Sequence, residues 1–178
     1  MPYALNLTLD DACQLEVERL YARLSRLDVP ERDLVTQYGP CITLLVVTDR
    51  VPSRTISALL EWRLSTLLAV PVTFATTCVT HGVPPTLGLR VAASGTLLDL
   101  HNAIYNELPE EEVNIHYRPA YWQPHLKLSN VRDEQAGACL AAALTPHWKP
   151  FAGTIDGLEV VQYPPVQSIW QATLRAST

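Results

Sequence analysis

Four residues of the chain, in two pairs, carry side chains that can bind an anion and move a proton: Cys41 with Thr43, and His125 with Lys127. The members of each pair are separated by one residue, so they share a face in an extended strand. Histidine has an ordinary pKa near ~6.5 and can act as acid or base at neutral pH. Hydroxyl and ammonium groups donate hydrogen bonds to phosphate oxygens. The set therefore predicts binding, or acid–base chemistry, at an anionic group.

The two pairs belong to an internal repeat. Residues 40–44 read PCITL and residues 124–128 read PHLKL, and both follow the order proline, any residue, aliphatic residue, any residue, leucine. Aromatic residues precede each copy, Tyr38 the first and Tyr121 with Trp122 the second. Each copy opens a predicted strand that leads into a predicted helix. The repeat indicates two related lobes that line a central cleft.

Apolar periodicity predicts the elements that position these segments. The predicted strands cover Tyr3–Leu9, Cys41–Val47, 72–79, 87–93, 126–131, 154–163 and 168–174, and the predicted helices cover 13–27, 53–68, 97–105 and 133–144. This order mixes hairpins with crossovers, which favours an α+β fold with mainly antiparallel sheets around the cleft and helices packed outside. Because no low-complexity linker interrupts the chain, residues 1–178 are predicted to form a single domain of two intertwined, pseudo-symmetric lobes.

The arrangement resembles the 2H phosphoesterases, which include 2′-5′ RNA ligase-like proteins and cyclic phosphodiesterases, over nearly the whole chain. That family is named for two H-x-[ST] motifs, often P-H-x-[ST]-L, one in each lobe. The resemblance implies that two histidines act as general base and general acid and that two hydroxyls hold the phosphate. Thr43 and His125 match this pattern, whereas Cys41 replaces the first histidine and Lys127 replaces the second hydroxyl.

Three functions follow from this altered site. The first is a metal-independent phosphodiesterase of reduced or altered activity on a 2′,3′-cyclic phosphate or a 2′-5′ linkage, with His125 and Cys41 in proton transfer and Thr43 and Lys127 on the phosphate. The second is a protein that keeps the anion cleft without catalysis. The third is an enzyme on a non-phosphate substrate in which Cys41 is the nucleophile, Lys127 lowers its pKa and His125 shuttles the proton. None of them requires a metal or cofactor.

The segment before the second motif holds further candidates for substrate contact. His116 could supply the missing imidazole if this segment folds over the cleft, and Arg118 could contact a phosphate. Tyr121 and Trp122 could stack on a nucleobase, as could Tyr38 beside the first motif. Aromatic residues beside prolines also commonly pin a loop onto the core, so each of them has a purely structural alternative.

Composition limits the class of partner. The 178 residues are 48% hydrophobic and 17% charged, with a formal net charge of −5. This charge argues against binding of long nucleic acid through a broad basic surface but is compatible with a small anionic ligand, a nucleotide or short oligonucleotide. The N-terminal segment lacks the pattern of a secretory signal, no apolar stretch reaches the ~20 residues of a membrane span, and the four cysteines are far apart. We therefore expect a cytoplasmic protein with reduced thiols.

Overall fold

Strands and helices are interspersed along the chain in the computed structural model, which describes residues 1–27, 33–34, 39–81 and 84–176. The strands are β1 (Tyr3–Leu9), β2 (Asp33–Leu34), β3 (Cys41–Val47), β4 (Val70–Thr80), β5 (Thr86–Val91), β6 (His125–Asn130), β7 (Phe151–Gln162) and β8 (Gln167–Thr173). The helices are α1 (Asp11–Leu24), α2 (Ser53–Leu64), α3 (Gly95–Tyr105) and α4 (Glu134–Leu144), with 3₁₀ turns at Glu110–Glu112, Ile115–Tyr117 and Thr145–His147. The predicted α+β class is confirmed.

The strands form one antiparallel sheet whose pairings close into a ring. The order runs β1, β3, β6, β5, β4, β7, and β7 pairs with β1 again. β8 extends the sheet beside β7, and the short β2, which the sequence pattern did not predict, pairs with β6. The two motif strands, β3 and β6, are therefore direct neighbours although α2, β4, β5 and α3 lie between them in sequence.

Capping and apolar periodicity explain how the helices begin and which side they bury. The Asp10 carboxylate accepts a hydrogen bond from the Cys13 backbone N–H at 2.7 Å and starts α1. From there Cys13, Val17, Leu20 and Leu24 form its buried stripe, as their spacing predicts. Contacts place α1 against β7, α2 against β8, and α4 against β4 and β5. None of the helices in the described ranges is long and apolar enough to cross a membrane.

Candidate active site

The two motif strands bury the same positions of the repeat. Ile42 and Leu44 on β3, and Leu126 and Leu128 on β6, are all 0% exposed. Their neighbours at alternate positions are only half-buried. The aliphatic positions thus anchor both strands in the core and turn the polar positions to the opposite face.

The register of the two strands brings the polar residues together. β3 and β6 pair with Ile42 opposite Leu126, and in an antiparallel pair this sets Cys41 opposite Lys127 and Thr43 opposite His125. We call this set of four the motif face. The electrostatic influence of Lys127 on the Cys41 thiol is consistent with this closeness. The four residues predicted from the sequence pattern therefore do share one face.

Hydrogen bonding fixes the form of His125. Its Nδ1 lies 2.8 Å from the Gln123 carbonyl oxygen, and since a carbonyl can only accept, Nδ1 carries the hydrogen. Burial lowers the pKa of His125 below its ordinary value of 6.5, Lys127 and Arg90 lower it further, and the bond to Gln123 opposes the shift. At neutral pH the ring is therefore uncharged, with an unprotonated Nε2, which is the form of a general base.

Gly88 on β5 makes room for this imidazole. A Cβ atom at Gly88 would lie 2.7 Å from the Leu126 carbonyl oxygen and 3.2 Å from Cδ2 of His125. Any larger residue would therefore press on the backbone of the second motif and on the ring itself. The absent side chain lets His125 lie close to β5.

Two residues that the sequence reasoning did not select extend the motif face. Arg90 on β5 is opposite His125, and Cys78 on β4 is opposite Gly88. Opposed residues in a sheet project to the same side, so both face the way His125 does. The available signal for Arg90 was that it is the single charged residue in the TLGLRV strand.

A cleft lies on the β5 side of His125, and we call it the β5 cleft. Its volume is about 330 Å³. β4 contributes Cys78, β5 contributes Arg90, and the segment before β6 contributes Trp122 and Pro124 beside His125. Within the described ranges, no group of three His, Cys, Asp or Glu side chains could hold a metal ion. Arg90, across from His125 on β5, and Lys127, two residues along β6, both place positive charge near His125, which suits an anion.

Burial keeps the Cys41 thiol protonated. It raises the pKa of Cys41 to about 12, although the Lys127 ammonium lowers it. Burial raises the pKa of Tyr21 and of Tyr117, and Cys41 lies close enough to add to both shifts, after Tyr163 in the case of Tyr117. At pH 7 the thiolate fraction is then on the order of 10⁻⁵. This argues against a nucleophilic Cys41, which needs a low pKa.

We expect iodoacetamide to modify Cys41 on the order of 10²–10³-fold more slowly at pH 7.5 than an unperturbed thiol, because only the thiolate reacts. Peptide mapping by mass spectrometry measures the rate at each cysteine. Cys139, exposed on α4, is the internal control. Modification of Cys41 as fast as Cys139 would contradict the protonated thiol and restore the nucleophile interpretation.

Trp122 is held in the core beside the motif face. Its Nε1–H donates to the Thr43 carbonyl oxygen at 3.0 Å, and its ring stacks on His101 with centroids 4.2 Å apart. The His101 Nε2–H in turn donates to the Tyr117 carbonyl oxygen at 2.9 Å. Trp122 therefore joins the segment before β6 to β3, and it also lines the β5 cleft.

The other predicted contact residues differ in their placement. Arg118 donates to the Val113 carbonyl at 3.2 Å and to Glu110 at 2.8 Å, so its guanidinium is engaged within its own segment. His116 is exposed and Tyr121 is 58% exposed. Tyr38 lies outside the described residues. Their roles in substrate contact stay predictions.

Comparison with known proteins gives both a family and a fold. Residues 10–166 match the model of the 2′-5′ RNA ligase superfamily, while no curated protein sequence matches. TT0787 of Thermus thermophilus has a TM-score of 0.65 at 14% identity, with 100% of each chain covered. LigT of E. coli complexed with 3′-AMP has a TM-score of 0.67 at 12% identity, with 98% of this chain and 99% of LigT covered. Usb1 of Kluyveromyces marxianus with uridine monophosphate has a TM-score of 0.54 at 12% identity, with 98% and 97% covered.

Proposed function

The chain belongs to the 2′-5′ RNA ligase superfamily, the 2H phosphoesterases, and from this premise we propose that it binds a nucleotide 2′,3′-cyclic phosphate or 2′-5′ phosphodiester at the motif face and hydrolyses it slowly with His125 as general base. The observation that carries the proposal is the Ile42–Leu126 pairing, which gathers the four polar residues into one set. A ligand of one or two nucleotides is also consistent with the structures of LigT with 3′-AMP and of Usb1 with uridine monophosphate.

The diagonal arrangement suits displacement at phosphorus. Attacking and leaving oxygens must lie on opposite sides of the phosphorus atom. His125 and Cys41 occupy diagonal corners of the motif face, with Cα atoms about 7–8 Å apart in an antiparallel pair. A phosphate between them would have His125 on the side of the attacking water and Cys41 on the side of the leaving ribose oxygen.

The remaining corners supply the phosphate contacts. Lys127, opposite Cys41, offers an ammonium, and Thr43, opposite His125, offers a hydroxyl. A charged hydrogen bond is roughly twice as strong as a neutral one, so Lys127 replaces the hydroxyl of the family pattern with a stronger anion contact. The altered motif is thus better suited to holding phosphate than to releasing it.

The altered site lacks an effective general acid for the hydrolysis step. Water attacks phosphorus while its proton passes to Nε2 of His125, and the bond from phosphorus to the ribose oxygen breaks. The leaving oxygen then needs a proton, and a Cys41 thiol with a pKa of about 12 is a poor acid. A positioned acid is worth about 10²–10⁴ in rate, so turnover is expected to be slow. The same observation supports a second candidate function, a nucleotide-binding protein without turnover.

Replacing Lys127 with methionine should weaken binding of adenosine 2′,3′-cyclic monophosphate by about tenfold or more, because a charged hydrogen bond contributes roughly 1.5–3 kcal/mol. Calorimetry measures the affinity, and product analysis of the same samples, together with short 2′-5′-linked oligonucleotides, measures turnover. Lys149→Met, at an exposed position beside Glu16 and Arg19 of α1 and outside the motif strands, is the matched control. Equal affinity of Lys127→Met and the unmodified protein, or binding of neither ligand class, would overturn the proposal.

A further inference from the structure

Arg90 is a cation beside the motif face to which the proposed function gives no role. Its side chain is exposed, and within the described part of the chain no carboxylate forms a salt bridge with it. A lone guanidinium that faces a cleft next to the catalytic base is available to an anionic ligand, because its fork of N–H donors matches phosphate oxygens.

The β5 cleft that Arg90 lines has the composition of a nucleoside site. Apart from Arg90, its walls are mostly apolar, with Val79, Val91 and Pro124 among them. Ligand pockets are characteristically apolar with a few placed polar groups, and they begin near ~300 Å³. At about 330 Å³ the cleft has room for one nucleoside and one anionic group.

The two cations lie next to His125 in different directions, one across the sheet and one along its own strand. Arg90 is directly opposite His125 on β5, whereas Lys127 lies two residues along β6 from it. Arg90 is therefore diagonal to Lys127, with Cα atoms about 7–8 Å apart. A ligand with two anionic groups and a spacer between them can contact both cations at once, one group at each. In a nucleotide the ribose is that spacer, with one phosphate at its 2′,3′ edge and the other at its 5′ position.

We propose that the β5 cleft is a second subsite in which Arg90 binds the 5′-phosphate of the substrate, so that the preferred ligand is a 5′-phosphorylated nucleoside 2′,3′-cyclic phosphate. This inference rests on the proposed function for the place of the reactive phosphate. It adds that a single nucleotide with phosphate at both ends is preferred over one with a cyclic phosphate alone.

Calorimetry with adenosine 2′,3′-cyclic monophosphate, with and without a 5′-phosphate, tests the preference. The doubly phosphorylated ligand should bind at least about tenfold more tightly. Arg90→Gln should bring the two affinities together, Arg90→Lys should retain part of the difference, and Lys127→Met should weaken both ligands while leaving their ratio. Equal affinity in the unmodified protein, a preference that survives Arg90→Gln, or binding of neither ligand overturns the subsite.

Cysteine protection locates the ligand independently of turnover. Cys78 lines the β5 cleft, and Cys139 is exposed on α4. The doubly phosphorylated ligand should slow alkylation of Cys78 severalfold and leave Cys139 unchanged, and this protection should be lost in Arg90→Gln. Unprotected Cys78 at saturating ligand contradicts the subsite. Protection with no hydrolysis of either ligand supports the subsite and removes only the catalytic part of the proposed function.

Discussion

Replacing Cys41 with histidine should raise the rate of cyclic phosphodiester hydrolysis by about 10²–10⁴-fold, the contribution of a positioned general acid. Position 41 is the diagonal partner of His125 across the β3–β6 pair, so an imidazole there would protonate the leaving ribose oxygen while His125 accepts the proton of water. The measurement is kcat for adenosine 2′,3′-cyclic monophosphate in the two proteins at the same pH.

The pH profile separates this effect from a general change of the site. The unmodified protein needs only the unprotonated base, so its activity should stay high on the alkaline side. Cys41→His should add an alkaline limb, because the new imidazole must be protonated to act. Cys41→Asn, which fills a similar volume without a proton to give, is the matched control and should stay near the starting rate. Similar rates for Cys41→His and Cys41→Asn would show that the acid is not what the site lacks.

The two motif strands were predictable because a proline marks the start of each in the sequence. Proline precedes both motifs, and strict burial of Ile42 and Leu126 follows from their aliphatic positions in the repeat. Cys41–Val47 begins and ends as predicted, while β6 begins at His125, one residue before the predicted strand. Side-chain alternation alone then places the four polar residues on one face of their strands.

The wider site was not predictable because it depends on register between strands that are distant in sequence. Arg90 lies opposite His125 only after an irregularity in the β5–β6 pairing between Leu87 and Gly88, and a shift of one residue would turn it to the other face. Periodicity within a strand contains no information on such a shift. The charged residue Arg90 can be identified in the sequence TLGLRV, but its pairing with His125 cannot.

The protonation state of Cys41 is likewise a tertiary property. Tyr21 projects from α1, and its hydroxyl donates to the Lys127 carbonyl oxygen at 3.0 Å, which brings a helix from the N-terminal part of the chain over the motif strands. Together with Tyr117 it lies near the thiol, and burial outweighs the lowering of the pKa of Cys41 by Lys127. From the sequence, the proximity of Lys127 predicts a lowered pKa for Cys41. The burial of the thiol, which outweighs this effect, depends on tertiary packing and is not evident in the sequence.

Replacing His125 with alanine should reduce hydrolysis by about 10²–10⁴-fold, because in the proposed mechanism Nε2 of this ring takes the proton of the attacking water. The group must be unprotonated to act, so kcat/KM should rise with pH, and the midpoint of the rise should lie below pH 6.5 because the pKa of His125 is lowered. In Lys127→Met one of the cations that lower this pKa is removed, and the rise should move to higher pH. Initial rates between pH 4.5 and pH 8 measure both effects.

His147→Ala, at an exposed position in a 3₁₀ turn after α4, is the control and should keep the rate and the pH profile of the unmodified protein. Binding should survive in His125→Ala, since the proposal assigns the phosphate contacts to Thr43 and Lys127. A loss of turnover with affinity retained would therefore indicate a role in proton transfer and not a loss of the structure of the site. An unchanged rate in His125→Ala would remove the base from the mechanism. A midpoint above pH 6.5 in the unmodified protein would mean that burial and the two cations do not lower the pKa of this imidazole.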